Sequence, residues 1–225
     1  MPQHPLHVSR VTRSKQQARA TYDRLSRWYD LLAGGSEGRY RDAGVRLLAP
    51  QEGDTVLEIG CGTGHALLAL AKWVGPSGKV YGVDLSPGML EVTRSRVERA
   101  GVAGRVVLEC GDALQLPFKE GFFDGVFTSF TLELFDTPEI PLVLSEWRRA
   151  LRRGGRICVV GMSARSRPNA MTRLYAWLHE TFPQYVDCRP IFVRESLEEA
   201  GFKILEATEA SLFGLRIELV LAEMP

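Results

Sequence analysis

Apolar positions follow two different periods along the chain. From about Thr12 to Ala33 they recur at helical spacing, which predicts an amphipathic helix ended by Gly34 and Gly35. A second, shorter helix is predicted from roughly Arg39 to Leu48. Beyond Pro50, short apolar runs of strand length alternate with helical stretches, so the organisation changes there.

Five apolar runs of strand length follow this change. They are DTVLEI, GKVYGVDL, RVVLEC, FFDGVFTSF and GRICVVGM. Strands that alternate with helices indicate βαβ units, and hence a parallel sheet covered on both faces. In the tail, FKILEATEA and GLRIELVLAE leave little room for a helix between them, which predicts an antiparallel hairpin at the sheet edge. The predicted fold class is α/β, a Rossmann-like, doubly wound sheet of seven strands that is mostly parallel.

The composition is that of an ordinary globular protein, since 45% of the 225 residues are hydrophobic and 24% are charged. The net charge of +1 gives no reason to expect nucleic acid as a partner. The four cysteines form no CxxC pair, which argues against a zinc site and a disulfide framework and favours a reducing cytosol. With neither a signal peptide nor an apolar run of membrane-spanning length, we expect a cytoplasmic protein without a metal.

A glycine-rich turn with Gly60, Gly62 and Gly64 lies between the first predicted strand and a helix. The dinucleotide fingerprint G-x-G-x-x-G requires a glycine where this chain has His65. Glu58 would repel a pyrophosphate by about 1 kcal/mol or more at contact distance, whereas it would attract a cation. S-Adenosylmethionine carries a sulfonium and an ammonium group and no phosphate. The turn therefore suits S-adenosylmethionine better than a dinucleotide.

Five blocks between Asp54 and Met162 resemble class I S-adenosylmethionine-dependent methyltransferases in order and spacing. They are VLEIGCGTG, VYGVDLSPGML, LECGDALQLPF, FDGVFTSFTLELF and RALRRGGRICVV. With the upstream YDRLSRWYDLL, they resemble the subgroup of ubiquinone/menaquinone-biosynthesis C-methyltransferases and bacterial phosphatidylethanolamine N-methyltransferases. The resemblance implies S-adenosylmethionine as the cofactor. It also implies a small, lipophilic methyl acceptor, such as a quinol precursor or a phospholipid headgroup.

The resemblance also implies cofactor contacts, residue by residue. The glycine turn would hold the methionine end, with Glu58 near its ammonium group. Asp84 would accept hydrogen bonds from the ribose hydroxyls, because an acceptor-only carboxylate suits a vicinal diol. Leu85 and Met89 would flank the adenine, whose exocyclic amine would donate to Asp112. The implied cofactor-binding residues are Tyr22, Glu58, Gly60, Cys61, Gly62, Gly64, Asp84, Leu85, Met89, Asp112, Ala113 and Thr128.

For several of these residues a purely structural role is the alternative. Asp84 would then cap the helix that begins after Ser86, and Asp112 would be an ordinary turn residue. Leu85 and Met89 would be core residues. Nicotinamide-dependent oxidoreductases also place an acid where Asp84 stands, so this residue alone does not exclude them.

Methyl transfer needs alignment more than a catalytic side chain, because a sulfonium is already a good leaving group. A base is required only if the acceptor must lose a proton, and the candidates are His65 at the glycine turn and Glu133 at the end of the fourth strand. The resemblance implies that Tyr29, with Tyr22 on the same helical face, faces the active site. The alternatives are that His65 faces solvent, that Glu133 caps or forms a salt bridge, and that the tyrosines pack in the core.

The resemblance divides the chain into an N-terminal helical lid at residues 1–50 and a methyltransferase domain at residues 51–225. An aromatic-rich insertion at about 164–192 would form a wall on the substrate side. Between Met1 and Asp30, six basic residues stand against two acidic ones. This bias favours transient contact between the lid and an anionic membrane surface, which would make the protein peripheral, although a solvated helix face explains it equally well.

Two other functions remain open from the sequence. The chain could bind the cofactor without turnover, as a regulator or a partner subunit. It could also be a nicotinamide-dependent oxidoreductase, which Glu58 and the glycine spacing disfavour. Binding measurements with S-adenosylmethionine and with NADH separate these possibilities.

Overall fold

The computed structural model describes residues 10–11, 13–26, 34–165, 171–172, 175, 177, 181 and 188–225. Its strands are β1 (Thr55–Ile59), β2 (Lys79–Asp84), β3 (Val106–Cys110), β4 (Phe123–Ser129), β5 (Leu151–Met162), β6 (Lys203–Leu212) and β7 (Leu215–Glu223). The helices whose bounds lie within the described residues are α1 (Lys15–Leu25), α2 (Gly34–Leu48), α3 (His65–Trp73), α4 (Pro87–Arg99), α5 (Ile140–Ala150) and α6 (Val193–Glu199). Short 3₁₀ turns cover Ala103–Arg105 and Leu132–Leu134.

The strands form one seven-stranded sheet in the order β3-β2-β1-β4-β5-β7-β6. The pairs among β1 to β5 are parallel, β7 is antiparallel to β5, and β6 is antiparallel to β7. The fold class predicted from the sequence is thereby confirmed, including the antiparallel hairpin at one edge. The strand order reverses between β1 and β4, and open α/β sheets bind their ligands at the carboxyl ends of the strands beside such a reversal.

Two apolar clusters cover the sheet. One contains Trp147 of α5 with Phe123 of β4, and the other contains Leu67 of α3 with Phe127 of β4. Trp147 is fully buried, and its indole N–H donates to the carbonyl of Ala113 at 3.1 Å. This bond satisfies the polar edge of a buried indole and ties α5 to the loop that follows β3.

Helix α2 belongs to the layer that covers the sheet. Its Tyr40, Val45 and Leu48 are buried in the second cluster. A Cβ added to Gly44 would lie 2.9 Å from the ring of Phe127, so glycine is required for the helix to approach the sheet this closely.

Helix α1 differs from α2, because none of its residues is buried. It begins after Ser14, whose side chain accepts a hydrogen bond from the backbone N–H of Gln17, while the Gln17 side chain accepts from the N–H of Ser14. This reciprocal capping box explains why the helix starts here. No helix in the described part of the chain is both long enough and apolar enough to cross a membrane.

The boundaries predicted for the two N-terminal helices need correction. The structure ends α1 at Leu25, and residues 27–33 of the predicted helix lie outside the described residues. Gly34 and Gly35 were expected to end the first helix, but this is wrong, because both lie in the first turn of α2. The lid boundary at residue 50 stays a prediction.

Candidate active site

The carboxyl ends of the central strands border a cavity of about 560 Å³. The turn after β1, the end of β2 and the loops after β3 and β4 form one side of it. Residues of the N-terminal segment and of α2 also line it. The cavity therefore lies where the reversal of the strand order predicts a ligand site.

The glycine turn after β1 is held by the neighbouring strand β2. The backbone N–H groups of Gly60 and Cys61 both donate to the carbonyl of Val83, at 2.8 and 3.2 Å. The N–H of Gly62 donates to Oδ2 of Asp84 at 2.8 Å. These bonds hold the turn in place without a ligand. The sheet therefore determines the conformation of the turn.

The three glycines of this turn have positive φ angles of 69°, 52° and 82°, which other L residues rarely adopt. A Cβ on Gly60 would lie 2.6 Å from Cγ2 of Thr131, whereas a Cβ on Gly62 would meet nothing within 4 Å. Gly64 does not line the cavity, and a Cβ there would lie 2.6 Å from Cγ2 of Thr93 on α4. Gly60 and Gly62 thus shape the cavity, while Gly64 allows the turn to pack on α4.

Asp84 lies at the end of β2 and lines the cavity. Its Oδ1 accepts from the backbone N–H of Ser86 at 2.9 Å, and its other oxygen accepts from the glycine turn. Burial raises the pKa of this carboxyl above its usual value, although the two backbone hydrogen bonds oppose the rise. The cap of α4 is instead Ser86, whose side chain accepts from the N–H of Met89. Each carboxylate oxygen has two acceptor positions, so Asp84 keeps capacity for a further donor.

Glu58 lines the cavity although only 3% of it is exposed. Burial raises the pKa of its carboxyl well above the usual range, while the positive charge of Arg41 lowers that pKa. Its Oε2 atom is buried and has no hydrogen-bond partner among the described residues. A buried oxygen of this kind is costly unless a donor arrives, so the cavity presents an acceptor that a bound cation would satisfy.

The residues predicted to surround an adenine also line the cavity. Leu85 is half-buried, whereas Met89 and Ala113 are buried and serve the core as well. Asp112 accepts from the N–H of Leu114 through Oδ1 at 3.0 Å. Its Oδ2 accepts from Nζ of Lys15 at 2.6 Å, so a residue of α1 contacts the acid expected to bind the adenine amine.

The N-terminal segment is attached to the cavity rim by charged side chains. Arg10 donates twice from Nε to the Asp136 carboxylate, at 2.8 and 2.9 Å, and once from Nη2 at 2.6 Å. These bonds hold the pKa of Asp136 well below its usual range. At the other end of α1, Asp23 accepts from the side chain of Ser86 at 2.6 Å and from the N–H of Gly88 at 2.9 Å. Tyr22 lines the cavity between these attachments.

The structure brings some of the remaining predicted residues to the cavity and not others, among the catalytic candidates His65, Glu133 and Tyr29 and the predicted cofactor-binding residue Thr128. His65, the first residue of α3, lines it and also interacts within the chain. Glu133 does not line it: this side chain is fully buried, and its Oε1 accepts from the N–H of Met162 at 3.2 Å. Thr128 is also behind the wall, where its hydroxyl donates to the carbonyl of Ile59 at 2.9 Å and joins β4 to β1. Tyr29 lies outside the described residues.

The loop after β4, expected to border the transferred methyl, contains a backbone outlier. Phe130 has a φ of +53° and lines the cavity. Its N–H donates to the carbonyl of Val160 at 2.8 Å, which holds the unusual conformation in place. Such conformations cost about 1–3 kcal/mol and concentrate at functional sites.

Most of the aromatic-rich insertion lies outside the described residues, including His179, Phe182 and Tyr185. Arg189, at its end, is fully buried, and its Nη2 donates to the carbonyl of Phe135 at 2.6 Å. This bond positions the loop that lines the cavity after β4. The wall predicted at about 164–192 stays a prediction.

From the sequence, the basic residues of the N-terminal region were interpreted as a possible membrane contact, and the charged residues that line the cavity from this region were not assigned to it. These are Arg10, Arg13, Lys15, Glu37 and Arg41, together with Asp136 and Glu139 from the loop after β4. The bonded pair Arg10 and Asp136 is 126 positions apart in sequence. No local motif marks such a pair, because only the fold brings its two members together.

Comparison with known proteins agrees with the fold described above. A family model described as a methyltransferase domain matches residues 56–155. The solved structure of the 4+2 cyclase SpnF superimposes with a TM-score of 0.77 at 19% identity, over 95% of this chain and 97% of that chain. A SAM-dependent methyltransferase from Aquifex aeolicus superimposes with a TM-score of 0.63 at 22% identity, over 82% of this chain and 89% of that chain. At these identities the two structures show a shared fold.

Curated relatives add sequence similarity. The demethylmenaquinone methyltransferase of Symbiobacterium thermophilum is 37% identical over 150 residues, which are 64% of this chain and 59% of that protein. The chain thus spans about three fifths of that relative's length. The demethylmenaquinone methyltransferase of Staphylococcus aureus (strain JH9) is 31% identical over 167 residues, 72% of this chain and 67% of that protein. This chain belongs to the class I S-adenosylmethionine-dependent methyltransferase family.

Proposed function

We propose that this protein binds S-adenosylmethionine and transfers its methyl group to a small, lipophilic acceptor of the quinol type. The observation that carries the proposal is Glu58, a buried carboxyl whose Oε2 has no partner among the described residues, beside a glycine turn that lines the cavity. This acceptor suits a cationic ligand and opposes a diphosphate.

The residues present fit this cofactor from end to end. Glu58 would accept from its ammonium group, and Asp84 would accept from the ribose hydroxyls with the capacity that its two backbone bonds leave. Leu85 and Met89 would flank the adenine, and Asp112 would accept from the adenine amine. Cys61 would contribute backbone and packing only, because burial raises the pKa of its thiol well above the usual range and keeps it neutral.

When bound, the cofactor supplies an electrophilic methyl group on a sulfonium, and this chain's residues align and enclose it. The half of the cavity formed by the loop after β4 contains Phe130, Leu134 and Phe135. These apolar side chains would hold the acceptor and exclude water, so that the reacting atoms meet at about 3–3.5 Å.

The quinol assignment rests on the names of the relatives, demethylmenaquinone methyltransferases. A ring carbon that gains a methyl group must lose a proton, so a base is useful. We propose His65 for this role, because it lines the cavity at the glycine turn. Tyr29 stays a second candidate, whereas the burial of Glu133 favours a structural role for that residue.

Contact of the N-terminal helix with an anionic membrane surface is part of this proposal, since a lipophilic acceptor must be collected from somewhere. Lys15 and Arg10 are paired with acids on the cavity rim, which leaves Arg19 and Arg24 as the exposed basic residues of α1 for this contact. Sedimentation with anionic liposomes at low salt tests it. An Arg19→Gln/Arg24→Gln variant should lose the sedimentation, and wild-type protein that stays in solution would rule the contact out.

The activity is tested by incubating the full chain with methyl-labelled S-adenosylmethionine and a reduced demethylmenaquinone that carries a short prenyl chain. Mass spectrometry should show a quinone that has gained one methyl group, with phosphatidylethanolamine vesicles as the competing acceptor. Binding of the cofactor without transfer to any lipid acceptor would favour a regulatory or partner protein. Preferential binding of NADH would overturn the proposal.

A further inference from the structure

Arg41 of α2 brings a positive charge to the same cavity that Glu58 lines. Its side chain is 18% exposed, and its Nε atom is buried with no hydrogen-bond partner among the described residues. Oδ1 of Asp42 is 3.4 Å from this Nε, but that carboxylate is half exposed to water and belongs to the next residue in the helix. The guanidinium therefore keeps donor capacity inside a largely buried setting.

Arg41 and Glu58 form a complementary pair at the cavity. Each has a buried polar atom that no described residue satisfies, and the two groups carry opposite charges when the Glu58 carboxyl is ionised. The charge of Arg41 also acts on the Glu58 carboxyl, whose pKa it lowers against the effect of burial. Because both residues line one cavity, a ligand that carries both an anionic and a cationic group would offer a partner to each of them.

The backbone before Arg41 leaves room for its guanidinium. A Cβ on Gly38, one turn earlier in α2, would lie 3.3 Å from Nη2 of Arg41. A Cβ at that position would require the guanidinium to shift by a few tenths of an ångström, because 3.3 Å is closer than ordinary van der Waals contact. Glycine at this position therefore leaves space for the guanidinium of Arg41 where it is observed.

We infer that Arg41 and Glu58 together bind the zwitterionic amino acid end of the cofactor, with Arg41 donating to the α-carboxylate and Glu58 accepting from the ammonium. This inference rests on the proposed function and extends it to a residue of α2, outside the sheet. A guanidinium is suited to a carboxylate because its planar donors match two oxygens at once. Arg41 thereby selects ligands that carry an α-carboxylate over truncated nucleosides.

Calorimetry with two ligands on the full-length protein tests the inference. S-Adenosylhomocysteine carries the amino acid end, and 5′-deoxy-5′-methylthioadenosine lacks it. In Arg41→Gln, the affinity for S-adenosylhomocysteine should fall by about 10- to 100-fold, while the affinity for methylthioadenosine stays within about twofold. Arg46→Gln, an exposed arginine on the same helix, is the matched control and should change neither affinity. Equal losses for both ligands, or no loss for either, would overturn the inference.

A second measurement avoids the variant, in case Arg41→Gln does not fold. Wild-type protein should bind decarboxylated S-adenosylmethionine about 10- to 100-fold more weakly than S-adenosylmethionine, because only the carboxylate differs. Equal affinities would contradict the role of Arg41. Failure of the proposed function looks different: wild-type protein would then bind neither S-adenosylhomocysteine nor methylthioadenosine.

Discussion

The cavity has two walls built by different forces. The glycine turn and the end of β2 are joined by backbone hydrogen bonds to buried strands, with Asp84 tying one to the other. Helix α1 has no buried residue and is attached by the side-chain contacts of Arg10, Lys15 and Asp23. Exposed ion pairs contribute about 0–1 kcal/mol each, whereas buried apolar contacts dominate stability. The first wall, the fixed wall, is therefore part of the fold, and we expect the second, the attached wall, to detach before the sheet unfolds.

The largest expected effect on stability comes from a substitution in the fixed wall, which consists of the glycine turn and the end of β2. Gly60→Ala should lower the free energy of unfolding by about 2–5 kcal/mol, because the φ of +69° disfavours any Cβ and the Cβ would collide with Thr131. Gly101→Ala is the control, since its φ of +68° is equivalent but a Cβ there meets nothing within 4 Å. Urea denaturation should show that this control lowers the free energy of unfolding by only about 1–2 kcal/mol. If both variants lost the same free energy of unfolding, the collision with Thr131 would add nothing to the effect of Gly60→Ala.

The second prediction concerns Asp84, which joins the fixed wall to the proposed ribose site. Asp84→Ala should weaken the binding of S-adenosylhomocysteine by about 10- to 100-fold, because it removes the proposed ribose acceptor and the partner of the Gly62 N–H. Asp124→Ala, which removes a carboxylate that accepts from the N–H of Thr55, provides a control away from the cavity. Unchanged affinity in calorimetry would show that the ribose does not lie at Asp84.

The third prediction concerns the effect of low pH on the contact between Arg10 and Asp136, which attaches the N-terminal segment to the cavity. The folded pKa of Asp136 is depressed by its hydrogen bonds with Arg10, so this contact stabilises the attachment fully above the unfolded pKa of about 3.9. The contribution is lost as the pH falls below about 4 towards the folded pKa. Amide hydrogen exchange in α1 should therefore accelerate below about pH 4, before the sheet loses protection.

A substitution separates this contact from the other effects of acid. Asp136→Asn should accelerate exchange in α1 at pH 7, with the strands unchanged. Glu198→Gln breaks the exposed Arg194 pair on α6 and is the matched control, which should leave α1 as it is. If amide hydrogen exchange in Asp136→Asn also accelerated throughout the strands, the attachment of α1 would not be independent of the stability of the sheet.

The smallest expected effect tests whether α1 competes with the cofactor. Lys15 holds Oδ2 of Asp112 at 2.6 Å, so an adenine amine must share or displace this partner. Lys15→Met should raise the affinity for S-adenosylhomocysteine by about two- to fivefold and leave the melting temperature nearly unchanged, as expected for an exposed pair. Arg19→Met, exposed on the same helix, should change neither quantity. Weaker binding in Lys15→Met would mean that the lysine supports the cofactor.

The difference between the walls also explains which parts of the site the sequence could reveal. Gly60, Gly62, Asp84 and Asp112 lie at or just after the ends of strands in short local motifs, and the structure brings all of them to the cavity. Thr128 and Glu133 come from the same kind of motif, yet both are buried behind the wall, because only the direction of a side chain decides whether it reaches a cavity.

The sequence by itself determined the α/β class, the hairpin at the sheet edge and the position of the glycine turn, because alternating apolar runs and left-handed glycines act over a few residues. Only the tertiary structure decided that α2 packs on the sheet while α1 is attached by charges. It also decided that Arg41 shares a cavity with Glu58. These arrangements depend on contacts between distant segments, whose charged side chains have no fixed partner until the sheet brings those segments together.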